Sequence, residues 1–207
     1  MSKSGQDPDR VIAVLSEVDD RTLADALRQP VTACVEAGTM TLLADFQGCL
    51  VLILTTANAF GIDMGTLFAD ALIDRQLIDP ERRDDVYLAL HEALANGLMH
   101  GNLDLSSDGA ESPDDFLRQA ELMQERLLMA DYGKRPIALA CAVRGTMLEI
   151  SVRDWGPGFT PPTDAAEPKR LSGRGLYLMT AHSDALRYEE RGRRVVLSYN
   201  MKRPAHA

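Results

Sequence analysis

The sequence predicts an α/β fold: a two-layer sandwich with a mixed, mainly antiparallel sheet and helices on one face. Three observations point to it. Two pairs of short segments, 137–143 with 147–154 and 184–190 with 195–200, flank turn signals at Arg144-Gly145 and around Gly192, as hairpins require. Three longer stretches, 63–77, 79–101 and 112–133, repeat apolar residues at helical spacing. Hydrophobic residues make up 45% of the 207 and aromatic residues only 5%, enough Leu, Ile, Val, Met and Ala for a real aliphatic core.

In chain order, residues 1–10 are polar and expected to fray. Val11–Leu15 reads as a strand. Arg21–Ala37 reads as a helix interrupted at Pro30 and closed by Gly38. Thr39–Ala44 and Cys49–Leu54 are rich in Leu, Ile, Val and Thr, with Gln47-Gly48 between them, so they read as a hairpin. Leu67, Phe68, Ala71, Leu72 and Ile73 then mark a helix.

The next helix has the sharpest boundaries. Asp79 suits the N-cap, Pro80 the first turn, and Gly101 a left-handed end. Val86, Leu90, Ala93, Leu94 and Leu98 form one apolar side. Tyr87, Leu88, Ala95 and Met99 add a second, so most of this helix is expected to be buried. Glu92, Asn96 and His100 nevertheless recur at i, i+4 and i+8 along one stripe.

After a loop at 103–111, Ser112-Pro113-Asp114-Asp115 carries a capping-box pattern. Phe116, Ala120, Met123 and Leu127 read as a core-facing stripe, and Gly133 ends the element. In 147–154, Leu148, Ile150 and Val152 share a face, and Asp154 has the same parity. Its carboxylate therefore points to the helix-covered side and needs a donor partner there. Residues 155–172 lack periodicity and read as a flap. Arg174–His182 reads as a helix with Gly173 and Gly175 at its start, before the closing hairpin and a loose end at 201–207.

Composition narrows the functional classes. A net charge of −9 and a pI near 4.9 argue against nucleic acid or an anionic membrane as the main partner. A protein partner fits better. Cys34, Cys49 and Cys141 are widely spaced, and no pair has CxxC spacing. They read as buried, reduced thiols of a cytoplasmic protein rather than zinc ligands or a redox pair. The N-terminus lacks a signal-peptide layout, and Cys49–Leu54 falls far short of the roughly 20 apolar residues that a membrane helix needs.

Each polar residue of the stripe admits an ordinary reading. Glu92 could be a solvated helix residue, Asn96 a satisfied core amide, and His100 a cation at a helix C-terminus. Asp154 could cap its own turn. Jointly, a polar stripe on a helix with two apolar sides implies a wet, polar cavity beside it, since burying unpaired polar groups costs roughly 1–3 kcal/mol each. The chain has no GxxxxGK[ST] sequence, so it is not a P-loop protein.

Three stretches read together carry a resemblance: Glu92 to Asn102 (EALANGLMHGN), Asp154 to Phe159 (DWGPGF), and Ser172 to Leu176 (SGRGL). In order and spacing they resemble the N, G1 and G2 boxes of the GHKL ATPase superfamily. The resemblance covers about residues 60 to 200. It implies a Bergerat-type ATP-binding fold, with 61–201 as the ATP-binding domain and 1–60 as an extension on the same body. It also implies ATP and Mg²⁺ as cofactors. On this likeness Glu92 is the catalytic base, Asn96 ligates magnesium, and His100 lines the phosphate side. Asp154 reads adenine, and Gly156 and Gly158 let backbone approach the base, with Phe159 in the same stretch. Gly173 and Gly175 aim amides at phosphate oxygens, Arg174 adds charge near the terminal phosphate, and Leu176 belongs to the same run.

Within the superfamily, the segments 88–102, 153–159 and 172–179 are most similar to anti-sigma-factor serine/threonine kinases of bacterial regulatory systems. That branch implies phosphorylation of a STAS-like antagonist. It implies a sigma factor, such an antagonist or another regulator as partner, and admits a homodimer. An ATP-gated binding switch without phosphotransfer is the alternative. Histidine-kinase activity in cis is disfavoured, because no histidine precedes the helix that carries Glu92. Gyrase-like or chaperone-like function would need further large domains, for which 207 residues leave no room. Residues 1–60 and the helix inserted within 103–133 exceed a minimal kinase of this branch and read as docking surfaces.

Overall fold

Leu50, Leu52 and Leu54 face one side of their strand and Val51 and Ile53 the other, and all five are fully buried. A strand covered on both faces lies inside a sheet, and each fully buried Leu contributes about 1.5–3 kcal/mol. The computed structural model describes residues 11–106, 112–159 and 174–201. Among these residues seven strands form one sheet. They are β1 (Ile12–Leu15), β2 (Ala33–Glu36), β3 (Leu50–Thr55), β4 (Pro136–Arg144), β5 (Met147–Arg153), β6 (Ala185–Glu189) and β7 (Arg194–Asn200). The spatial order is β1-β2-β3-β4-β5-β7-β6. The β1–β2 and β2–β3 pairs are parallel and the rest antiparallel, which is the mixed, mainly antiparallel α/β sheet that the sequence predicts.

One face holds the main core. Leu23 and Leu27 of α1 (Asp20–Leu27), Phe68 and Leu72 of α3 (Met64–Asp74), and Val86 and Leu90 of α4 (Arg83–Ala95) meet Leu139, Ile150 and Leu197 of the sheet. Met179 of α7 (Arg174–Ala181) joins them. The short helix α2 (Thr56–Ala59) follows β3. The other face carries a smaller core, where Leu43 and Phe46 cover Ala33, Val35, Val51, Ile53, Ala138 and Ala140.

Several local expectations are corrected. The helix read over 21–37 ends at Leu27, and the chain passes Pro30 into β2. Arg75 holds this reversal: its guanidinium donates to the carbonyls of Leu27, Gln29 and Val31 at 2.8, 3.0 and 3.1 Å. Thr39–Ala44 forms no hairpin with β3. It lies within a 3-10 segment, Ala37–Asp45, because the Thr39 hydroxyl donates to the Glu36 carbonyl at 2.9 Å and turns the chain. That turn lays Leu43 and Phe46 over the second core. Cys49, expected to be buried, is exposed.

The helix read over 79–101 is three pieces. Asp79 occupies the N-cap of a 3-10 turn, Pro80–Arg82, which leads into α4, and a π-helical segment, Asn96–Asn102, follows. The winding passes through Gly101, and the left-handed residue is instead Asp104, at φ 53°. Val86, Leu90, Ala93, Leu94 and Leu98 are buried as expected, whereas Tyr87, Leu88, Ala95 and Met99 are only half-buried. The capping box of Ser112 and Asp115 starts α5 (Pro113–Leu128) as the sequence predicts. Its expected core stripe is corrected: no residue of α5 is buried, and Phe116 is 61% exposed. The helix rests mainly on α2 and α6 (Ala130–Gly133) rather than on the sheet. The ends expected to be loose, at 1–10 and 202–207, and the part of the expected flap at 160–173 lie outside the described residues.

Candidate functional site

The π-helical segment brings two glycines down onto the end of β5. A methyl group on Gly97 would lie 3.1 Å from Ile137 Cδ1 and 3.7 Å from Asp154 Cβ. On Gly101 it would lie 2.5 Å from Asp154 Cγ. On Gly156 it would lie 2.1 Å from the Gly101 carbonyl oxygen. Helix backbone and post-strand backbone therefore touch, and only residues without a Cβ allow that approach. A π-bulge of this kind is frequent at functional sites.

Asp154 sits beneath this contact at 8% exposure. The Gly156 amide donates to its Oδ1 at 2.8 Å, and its own amide donates to the Arg193 carbonyl at 2.9 Å. Burial pushes the carboxyl up to about 6 from the usual 3.8, and the Gly156 amide and the charges of Arg193 and Arg135 offset this only in part. The result is a carboxylate on the helix-covered side, as its parity predicts, with capacity for a further donor.

Asn102 anchors the same corner. It is fully buried. Its Nδ2 donates to Thr56 Oγ1 and to the Pro136 carbonyl, both at 2.8 Å, and its Oδ1 accepts from the Trp155 amide at 2.7 Å. The residue directly after Asp154 is thus tied to α2 and to the start of β4. Sequence reasoning quoted Asn102 without giving it a role. The available signal was a polar residue following Gly101 at the close of a largely apolar helix. On the opposite face Arg153 lies 4.6 Å from the Trp155 ring centroid and pairs with Glu190 at 2.8 Å.

Glu92 and Asn96 meet the start of α7. A methyl group on Gly175 would lie 2.8 Å from Glu92 Oε2 and 3.4 Å from Asn96 Nδ2. Both side chains are half-buried. Arg174 is exposed beside them and Leu176 half-buried, while Gly173 lies outside the described residues. His100 does not join this group. It is exposed, and its Nδ1 lies 2.7 Å from the Leu105 carbonyl oxygen. Phe159 is 48% exposed and meets Tyr188 edge-to-face at 5.2 Å, following Gly158 at φ 83°.

Two groups are thus built on α4 and the π-helical segment that follows it. Glu92 and Asn96 face the α7 start, and Gly97 and Gly101 face Asp154. A mixed sheet with this helix laid across it, and with carboxylate and amide groups at the contacts, is consistent with an ATPase domain of the GHKL type. Residues 65–199, more than half the chain, match the histidine kinase-like ATPase domain, and the chain belongs to that family. No curated protein matches it. Among the described residues no helix is long and apolar enough to cross a membrane.

Proposed function

We propose that this chain is a cytoplasmic bacterial regulatory protein that binds Mg-ATP and transfers the terminal phosphoryl group to a serine or threonine of a protein partner. The partner class is a STAS-like antagonist of a sigma factor. The residues present fit an adenine nucleotide. Asp154 is a buried carboxylate suited to accept a hydrogen bond from the adenine amino group. The amide oxygen of Asn96 suits a magnesium ion whose remaining ligands are phosphate and water. Bound ATP would supply the phosphoryl group, with ADP as the leaving group. Arg174 and the backbone at Gly175, at the start of α7, would supply charge and amides to phosphate oxygens.

The observation that carries the kinase reading is the position of Glu92. Its carboxylate lies against Gly175 at the α7 start, one helical turn from Asn96. Binding alone needs no carboxylate there. A hydroxyl that attacks phosphorus needs a proton acceptor beside the metal ligand, and Glu92 supplies it. A second reading, an ATP-gated binding switch, draws on α5, whose Phe116, Leu117 and Leu128 are 61, 60 and 89% exposed. Such a face suits a protein partner under either reading.

The deciding experiment isolates the partner by pull-down and incubates both proteins with γ-labelled ATP. The expected result is label on a partner serine or threonine, lost in Glu92→Ala while ATP binding survives. A partner that binds ATP-dependently but never acquires label rejects the kinase and leaves the switch.

A further inference from the structure

Cys49 and Cys141 meet where β3 begins. Leu50 is the residue paired opposite Cys141, yet the Cys49 amide also donates to the Cys141 carbonyl at 2.8 Å. In a regular ladder neighbouring side chains point to opposite faces, so Cys49 would stand away from Cys141. The ladder instead slips by one residue here, as at a bulge. The bulge turns the Cys49 and Cys141 side chains to the same side of the ladder, so the two thiols lie next to each other. Cys49 is exposed and Cys141 lies in the main core.

These contacts make the two sulfurs unequal. Donation from the Cys141 thiol and the Val143 amide brings Cys49 down to about 6, despite partial burial. The same contact, with burial, pushes Cys141 far up. Cys34, fully buried, is pushed up to about 11 by desolvation. An accessible thiolate next to a protonated thiol is the arrangement of a reactive cysteine with a resolving partner.

We infer that Cys49 and Cys141 form a peroxide-responsive dithiol, with Cys49 as the attacking sulfur and Cys141 as the resolving one. The Cys49 thiolate attacks one oxygen of hydrogen peroxide. An S–O bond forms, the O–O bond breaks, and the departing hydroxide is protonated to water. Cys49 becomes a sulfenic acid, oxidised by two electrons as the peroxide is reduced. The Cys141 sulfur then attacks the Cys49 sulfur. The S–S bond forms, the S–O bond breaks, and the leaving oxygen departs as a second water with the proton of Cys141. Two thiols and one peroxide give one disulfide and two waters. The pair stands at the end of β3 and β4 remote from the Thr55–Pro136 pairing beside Asn102. Five residues of strand, about 17 Å at the usual rise, separate it from the candidate nucleotide site. It does not depend on the proposed function.

The test treats the reduced full chain with hydrogen peroxide, alkylates it under denaturing conditions and maps its peptides. The expected product has lost two hydrogen atoms, carries a Cys49–Cys141 linkage and alkylates only at Cys34. Cys49→Ser should abolish the linkage. Cys141→Ala should leave a sulfenic acid at Cys49 that dimedone traps, and Cys34→Ser should change nothing. Wild-type protein suffices if a variant misfolds: in the native state, iodoacetamide should label Cys49 roughly tenfold faster than Cys34. The inference is overturned if peroxide leaves all three thiols alkylatable, if Cys49 only bridges two chains, or if it passes to sulfinic acid without pairing with Cys141.

Discussion

Gly101 supports the Asp154 carboxylate directly: a methyl group at residue 101 would fall 2.5 Å from Asp154 Cγ and 2.6 Å from Oδ1. This contact joins the helix of the first motif to the turn of the second. Gly101→Ala should displace the carboxylate and reduce ATP affinity about tenfold or more, at a stability cost of about 1–3 kcal/mol, the usual scale of overpacking. Titration calorimetry beside urea denaturation checks both. Unchanged affinity would show that the contact does not position Asp154 for nucleotide.

Asn102 should be a stability determinant. Asn102→Ala leaves the part-buried Trp155 amide and Pro136 carbonyl without the partner they have now. At about 1–3 kcal/mol per orphaned group, the expected loss is about 2–6 kcal/mol. Urea unfolding followed by Trp155 fluorescence measures it, and a loss under about 1 kcal/mol would contradict this role.

Asp154 should impose two opposite pH dependences. Its folded value of about 6 lies above the ordinary 3.8, so the folded protein holds this proton more tightly than the unfolded chain. The stability contributed by this group is therefore fully present below the ordinary value and lost as pH rises through about 6. Asp154→Asn should remove that loss and stabilise the ligand-free protein at pH 7.5 by about 1–3 kcal/mol. In the proposed site the ionised carboxylate is the acceptor for the base, so wild-type affinity should fall about fourfold between pH 7.5 and 5.5. Urea unfolding and ATP titration at the two pH values check this, and a flat affinity profile would argue that the carboxylate does not accept from the base.

Most of the sheet and the helices that flank it were legible because their residues alternate or recur over enough length to show a period. The β4–β5 and β6–β7 hairpins carry local turn signals, and α5 carries its capping box. The segment 33–36 did not show itself. It is four residues long and pairs in parallel with β1 and β3, through partners far away in sequence. The 37–45 segment has strand-like composition, but its conformation follows from the need to cover Val51 and Ile53 on the second face. The π-helical winding through Gly97 and Gly101 has no pattern of its own. Spacing alone aligned His100 with Glu92 and Asn96, and the actual winding leaves it against Leu105. The contact of Cys49 with Cys141 depends on a one-residue slip that spacing along the chain cannot reveal.

The most direct test of the ATP site is calorimetric titration of ATP, with and without magnesium, into wild type, Asp154→Asn and Asn96→Ala. Wild type should bind. Asp154→Asn should lose on the order of tenfold or more whether or not magnesium is present, as expected when a hydrogen bond to a charged group is removed. Asn96→Ala should lose chiefly the magnesium-dependent part. Undiminished affinity in both variants would contradict the assignment of this corner as the nucleotide site.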